Sequence, residues 1–132
     1  MKRLVVVLAL LLNGCALYDA YTMAHYDGDE YGQIVDIRVT AHEGAAKCGN
    51  PAKAIDTAKD LAKKTLAFQF FEEHIPSNNN GYNAAKSLNE IAQGLVVRYN
   101  TPPVPLVFCK IKFESIEHSA AVVQHVMGNR PR

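Results

Sequence analysis

The chain has 132 residues, with 14 Lys+Arg against 13 Asp+Glu and a formal net charge of +1 when histidines are neutral. That length is one domain's worth and enough to bury a real core. The charge balance argues against the concentrated basic face that nucleic-acid binding needs.

At the N-terminus, Lys2 and Arg3 precede an unbroken apolar run from Leu4 to Leu12. The run is too short to cross a bilayer as a stable helix, which takes roughly 20 residues, and it suits the hydrophobic region of a secretion signal. It ends in Leu12-Asn13-Gly14-Cys15. This ending resembles the lipobox of bacterial lipoproteins, which places Leu three residues before Cys and a small residue directly before it. Asn13 departs from the usual Ala, Ser or Thr. The resemblance implies that residues 1–14 are a signal peptide cleaved after Gly14, that the Cys15 thiol receives a diacylglyceryl group, and that the new amine is acylated, typically with palmitate. Ala16 stands where an Asp would retain such a protein at the inner membrane. The resemblance therefore implies the periplasmic face of the outer membrane of a Gram-negative envelope. Two or three acyl chains, at about 0.8 kcal/mol per buried CH₂, anchor a protein firmly where one does not. An ordinary secretion signal, with Cys15 paired elsewhere, is the competing reading.

Removal of residues 1–14 takes away Lys2 and Arg3 and leaves 118 residues, with 12 basic against 13 acidic side chains and a net charge near −1. That balance also argues against electrostatic lipid binding beyond the anchor. With Cys15 committed to lipid, Cys48 and Cys109 remain as an even pair in an oxidising compartment, and a disulfide between them is expected. Closing a loop of that length contributes roughly 4 kcal/mol in the chain-entropy model. Neither cysteine belongs to a Cys-x-x-Cys or Cys-x-x-Cys-His motif, so redox catalysis and covalent haem attachment have no support.

Residues 15–29 read as the lipidated cysteine and a flexible tether, with a helical domain over 30–132. As a coil the tether reaches about 20 Å. Tyr18, Tyr21 and Tyr26 crowd into it and suit packing near headgroups or, more specifically, docking to a partner. The next element is ambiguous. Ile34, Ile37, Ala41, Ala45 and Cys48 follow helical spacing, whereas Val35, Ile37 and Val39 alternate with polar residues as in a strand. Helix is favoured, because its pattern runs on to Cys48 and the alternation stops at Ala41.

The second helix is predicted over 52–74, with Asn50 as N-cap and Pro51 in the first position. Its apolar face is read as Ile55, Ala58, Ala62, Leu66 with Thr65, and Gln69-Phe70. Pro76 and Ser77-Asn78-Asn79-Asn80-Gly81 end it in a polar turn. A third helix spans about Tyr82 to Tyr99, with a stripe of Tyr82, Ala85, Leu88, Ala92, Leu95 and Tyr99. Thr101-Pro102-Pro103-Val104-Pro105 is a stiff connector. The last helix, about Leu106 to Met127, repeats Cys109, Phe113, Ile116, Ala120, Val123 and Met127 at spacings of four and three, the seam of a bundled helix. Gly128 stops it, and Asn-Arg-Pro-Arg follows as a solvated basic tail. The expected fold is all-α, a bundle of three or four helices stapled by one disulfide.

Five histidines, His25, His42, His74, His118 and His125, raise the question of a metal. His118 and His125 share a face of the last helix with Glu114, and a metal- or haem-binding bundle is the runner-up reading. The face is the polar flank of the seam, however, and a di-iron site would need a Glu-x-x-His pair on each of two helices. Ser77, Ser87, Ser115 and Ser119 lie in no Gly-x-Ser-x-Gly turn. Glu72-Glu73-His74, beside a polar turn at a helix end, is expected to face water, with His74 complementing the helix dipole. Phe68, Phe70 and Phe71 cannot all point to one side of a helix, so at least one lies off the core. Arg130-Pro131-Arg132 either grips an anionic surface or is solvated. No catalytic residue and no cofactor is expected.

Small helical lipoproteins without a catalytic signature look like envelope accessory proteins that bind, shield or scaffold other membrane components. The lipobox, the two remaining cysteines and the Arg-Pro-Arg end are also similar to small phage-encoded lipoproteins. That resemblance implies a role such as shielding a receptor against superinfection, or a role in lysis, although the Pro-rich composition of outer-membrane spanins is absent. The leading expectation is a non-enzymatic, lipid-anchored interaction module with an envelope protein as partner.

Overall fold

The structure is a computed structural model that describes residues 24–132; the signal segment, the lipobox with Cys15, and Tyr18 and Tyr21 lie outside the described residues. Four helices follow in order: α1 (Gly28–Lys47), α2 (Pro51–Glu73), α3 (Asn79–Tyr99) and α4 (Leu106–Gly128). The described residues contain no strand, so the ambiguous first element is helix. Helix α1 begins two residues inside the segment read as tether. Asp27 causes this early start: its Oδ1 accepts the backbone N–H groups of Asp29 at 2.8 Å and Glu30 at 3.0 Å, and two acidic residues in the first turn suit the positive helix end.

Helix α2 starts where its cap residues place it, with Asn50 Oδ1 accepting the Lys53 N–H at 3.2 Å and Pro51 in the first position. At its far end the His74 ring nitrogen Nδ1 lies 3.0 Å from the Phe70 carbonyl. Connectors of a few residues make successive helices antiparallel. Helix α1 packs against α2 and α4, and α3 packs against the same two, with the most extensive contacts at α1–α4 and α2–α3.

The seams of α3 and α4 follow the sequence pattern, with Tyr82, Tyr99 and Val123 of the expected stripes half-buried at their edges. Ala85, Leu88, Ala92 and Leu95 are buried, as are Cys109, Phe113, Ile116, Ala120 and Met127. On α2 the buried face is instead Ala54, Ala58, Leu61, Ala62, Thr65 and Phe68. This is rotated by about one residue from the expected stripe, and Ile55 and Leu66 sit at its edge, half-buried. The reason is packing volume. Small Ala54 and Ala58 allow close approach to the neighbouring helices, and the ring of Phe68 fills the space beyond them. Phe70 projects outward with 55% exposure.

At one end of the bundle, Cys48 and Cys109 form a disulfide between the end of α1 and the start of α4, with Cα atoms 5.8 Å apart. The Tyr99 hydroxyl donates to Cys109 Sγ at 3.0 Å, and burial pushes its own pKa up. Arg98 donates to the carbonyls of Thr101 and Pro103 and so secures the proline-rich connector. One turn in from the disulfide, Gly44 faces the Phe113 ring so closely that a Cβ would overlap it.

Gly44→Ala is therefore expected to lower stability by about 1–3 kcal/mol through overpacking against Phe113, read as a lower midpoint in chemical denaturation. Reducing the disulfide removes roughly 4 kcal/mol more in the chain-entropy limit; an unchanged midpoint in the presence of reductant would contradict this.

Candidate functional site

The core pattern does not stop at the last apolar residue of each helix. In α1 the seam Ile34, Ile37, Ala41 is preceded, four residues back, by Glu30. In α2 the steps Leu61, Thr65, Phe68 lead on to Glu72. In α3 the series Ala85, Gly81 extends backward to Asn78, and in α4 Met127 is followed three residues later by Arg130. Antiparallel packing brings these four positions to the same end of the bundle. They form one polar layer, opposite the disulfide, and all four side chains are buried.

Arg130 is the hub. Its Nη1 donates to both carboxylate oxygens of Glu30, at 2.5 and 2.6 Å, and its Nη2 donates to Asn78 Oδ1 at 2.8 Å. Asn78 in turn donates through Nδ2 to Glu72 Oε2. As the residue before α3, Asn78 occupies an N-cap position, yet it makes no capping bond to its helix. The cluster has taken the side chain that would ordinarily satisfy a backbone N–H at the helix start. Gly81 makes the space, since a Cβ there would overlap the side chains of both Asn78 and Glu72.

The layer holds two carboxyl groups and one guanidinium. Glu72 is 1% exposed, and its Oε1 has no hydrogen-bond partner. Burial, above all, pushes its pKa up to about 8, and the adjoining Glu30 carboxyl adds to the shift; Asn78 and Arg130 oppose it. A proton on the Glu72 carboxyl eases both difficulties: it cancels the second negative charge and gives the group a donor beside the Glu30 carboxyl. At neutral pH the layer thus holds one paired charge couple and one neutral carboxyl.

This arrangement corrects two expectations. Glu72 does not face water with its neighbours: Glu73 and His74 are exposed, and Glu72 turns into the core. The Arg130-Pro131-Arg132 end is not a solvated tail. Arg130 is 8% exposed, the Pro131 carbonyl accepts the Tyr26 N–H at 2.8 Å, and the Arg132 guanidinium stands 5.2 Å from the Tyr26 ring centroid. The segment before α1 is likewise part of the fold, with Ala24 buried.

The histidine set is dispersed. His118, His125 and Glu114 are exposed on α4, and His25, His42 and His74 are exposed elsewhere. Among the described residues no three His, Cys, Asp or Glu side chains gather to hold a metal ion. His42 lies 3.1 Å from Glu117 in a solvated contact between α1 and α4. The serines Ser77, Ser87, Ser115 and Ser119 join no acid–base partner; Ser87 donates to the Asn83 carbonyl. Between α1 and α2, Lys64 reaches Asp36 and Asp60, each at 3.1 Å, and Thr40 Oγ1 at 2.8 Å. Desolvation lowers its pKa, but the two carboxylates outweigh this and hold it above the usual value. This is a clamp between helices on the wall of a shallow groove.

A second feature is the outer face of α4. Val107, Ile111, Val122 and Val126 project into solvent at more than half exposure. They follow one another along the side opposite the seam, with Ser115 and His118 between them. Among the described residues no helix is long and apolar enough to cross a membrane.

Because the folded protein holds the Glu72 proton more tightly than the unfolded chain does, the stability this provides is full below the ordinary carboxylate pKa. It is lost as pH rises through about 8. Chemical denaturation is expected to show a fall of roughly 2–4 kcal/mol from pH 5 to pH 9. Glu72→Gln, which mimics the protonated acid and can donate to Glu30, should flatten this slope; an unchanged slope in that variant would place the titration elsewhere. No protein-family model, curated protein or solved structure matches this chain.

Proposed function

We propose that the chain is an outer-membrane lipoprotein whose helical domain acts without catalysis, through contact with another envelope protein. In this reading residues 1–14 are removed, Cys15 carries the fatty acids, and the bundle is held at the periplasmic face. The nine Cα–Cα steps from Cys15 to Ala24 span at most about 30 Å, so the domain works close to the membrane surface. The Cys48–Cys109 disulfide fits an oxidising compartment.

The observation that carries the interaction reading is the exposed apolar face of α4. Four β-branched side chains, all more than half exposed, line one face of α4 in two pairs, an apolar surface that can seat a partner. Receptor shielding against superinfection is the concrete form of this role that the resemblance to phage lipoproteins suggests.

Metabolic labelling with an alkyne analogue of palmitate, followed by photo-crosslinking in intact cells, tests both halves. The full chain should take up label and the Cys15→Ser variant should not; label-free wild-type protein would defeat the anchor. A photoreactive residue at Ile111 or Val122 should capture one discrete envelope protein that the same group at exposed Lys59 does not. Identical patterns from all three positions would defeat the interaction face.

A further inference from the structure

The chain does not leave the bundle after α4. Asn129 bonds back to the His125 carbonyl at 2.8 Å, Arg130 turns inward to the carboxyl pair, and Pro131 and Arg132 lie across Tyr26. Four residues therefore cover the polar layer and clasp the segment through which the N-terminus enters the fold. That clasp consists of one backbone hydrogen bond and one cation–aromatic contact, whereas the far end of the bundle is held covalently. The tail's other anchorage is the Arg130 side chain, bonded to Glu30 and Asn78, so its seating depends on the charge state of the layer.

We propose that residues 129–132 form a proton-held latch: with Glu72 protonated the tail stays seated and clasps residues 24–27, and loss of that proton admits water to the layer and frees both segments.

The charge count sets the direction. The groups facing Glu72 are Glu30 from α1, Asn78 from the start of α3 and Arg130 from the tail. With the proton present, one carboxylate meets one guanidinium, both of its oxygens accepting from Arg130 Nη1, and the closed layer is neutral. Without it, a net negative charge sits in a site from which water is excluded, and no donor reaches Glu72 Oε1. Opening the tail lets water solvate both carboxylates. Attraction of Arg130 to the second carboxylate opposes opening. The cost of keeping a second carboxylate buried without water outweighs it. The functional consequence is a change in the length of free chain before α1. If the lipid anchor of the preceding subsection holds, opening lets the domain stand further from the bilayer; the latch itself does not depend on the anchor.

Amide hydrogen exchange on the full chain in detergent tests the proposal, with each rate corrected for intrinsic base catalysis. The Tyr26 amide, whose N–H is bonded to Pro131, should lose protection by about tenfold or more between pH 6 and pH 9, while the Leu95 amide in the core of α3 keeps its protection. In Glu72→Gln the Tyr26 amide should stay protected throughout. A carbon-13 titration of the Glu72 carboxyl in the wild-type chain gives a check that needs no variant, since its midpoint should coincide with the loss of protection. A pH-independent or rising Tyr26 protection, separate midpoints, equal loss at Leu95, or a Glu72→Gln variant that still opens would each overturn the latch.

Discussion

The constraint on which the bundle depends at its open end is the burial of two carboxyl groups with a single guanidinium. At the other end a covalent bond ties α1 to α4. Here the same two helices are joined by Arg130 and Glu30, and α2 and α3 are drawn in through Glu72 and Asn78. Buried ion pairs are seldom a large source of net stability, because desolvation offsets most of the Coulombic gain. Their effect is selective. Any arrangement that leaves one member without its partner is strongly disfavoured, so the layer fixes the register of four helix ends and the path of the tail at once.

Several local features make sense only beside that layer. Asn78 gives up its capping bond to bridge Glu72 and Arg130. Gly81 is needed because any side chain would fill the space the two polar groups occupy. Ser77 adopts a left-handed backbone, with φ of 58°, in the turn that delivers Asn78 beneath the end of α2. The segment before α1 is ordered by its contact with the tail, which the layer positions. The outer face of α4, by contrast, takes no part in this network, and that independence suits a surface whose role is contact with another molecule.

Much of the fold was legible in the sequence. The Asn50-Pro51 start of α2, the seams of α3 and α4, and the pairing of Cys48 with Cys109 follow from capping, spacing and cysteine number. The face of α2 was read about one residue off: Ala58, Ala62 and Thr65 lie on it as expected, but the fold buries Ala54, Leu61 and Phe68 rather than Ile55, Leu66 and Phe70. Glu72 and Arg130 were read as solvated because charged side chains usually are. The signal that places them was present: continuing each alternation of four and three by one step lands on Glu30, Glu72, Asn78 and Arg130. Hydrophobicity defines a seam only while the residues are apolar. A polar layer is visible in periodicity alone, and only when all four helices are considered together.

The most direct measurement of this constraint is the unfolding free energy of Arg130→Ala beside that of a double variant, Glu30→Gln with Arg130→Ala. Removing Arg130 alone should leave the Glu30 carboxylate buried without a partner and cost at least ~2 kcal/mol, and neutralising Glu30 as well should recover much of the loss. Equal and small losses in the two proteins would show that the layer is hydrated in solution and does not hold the helix ends together.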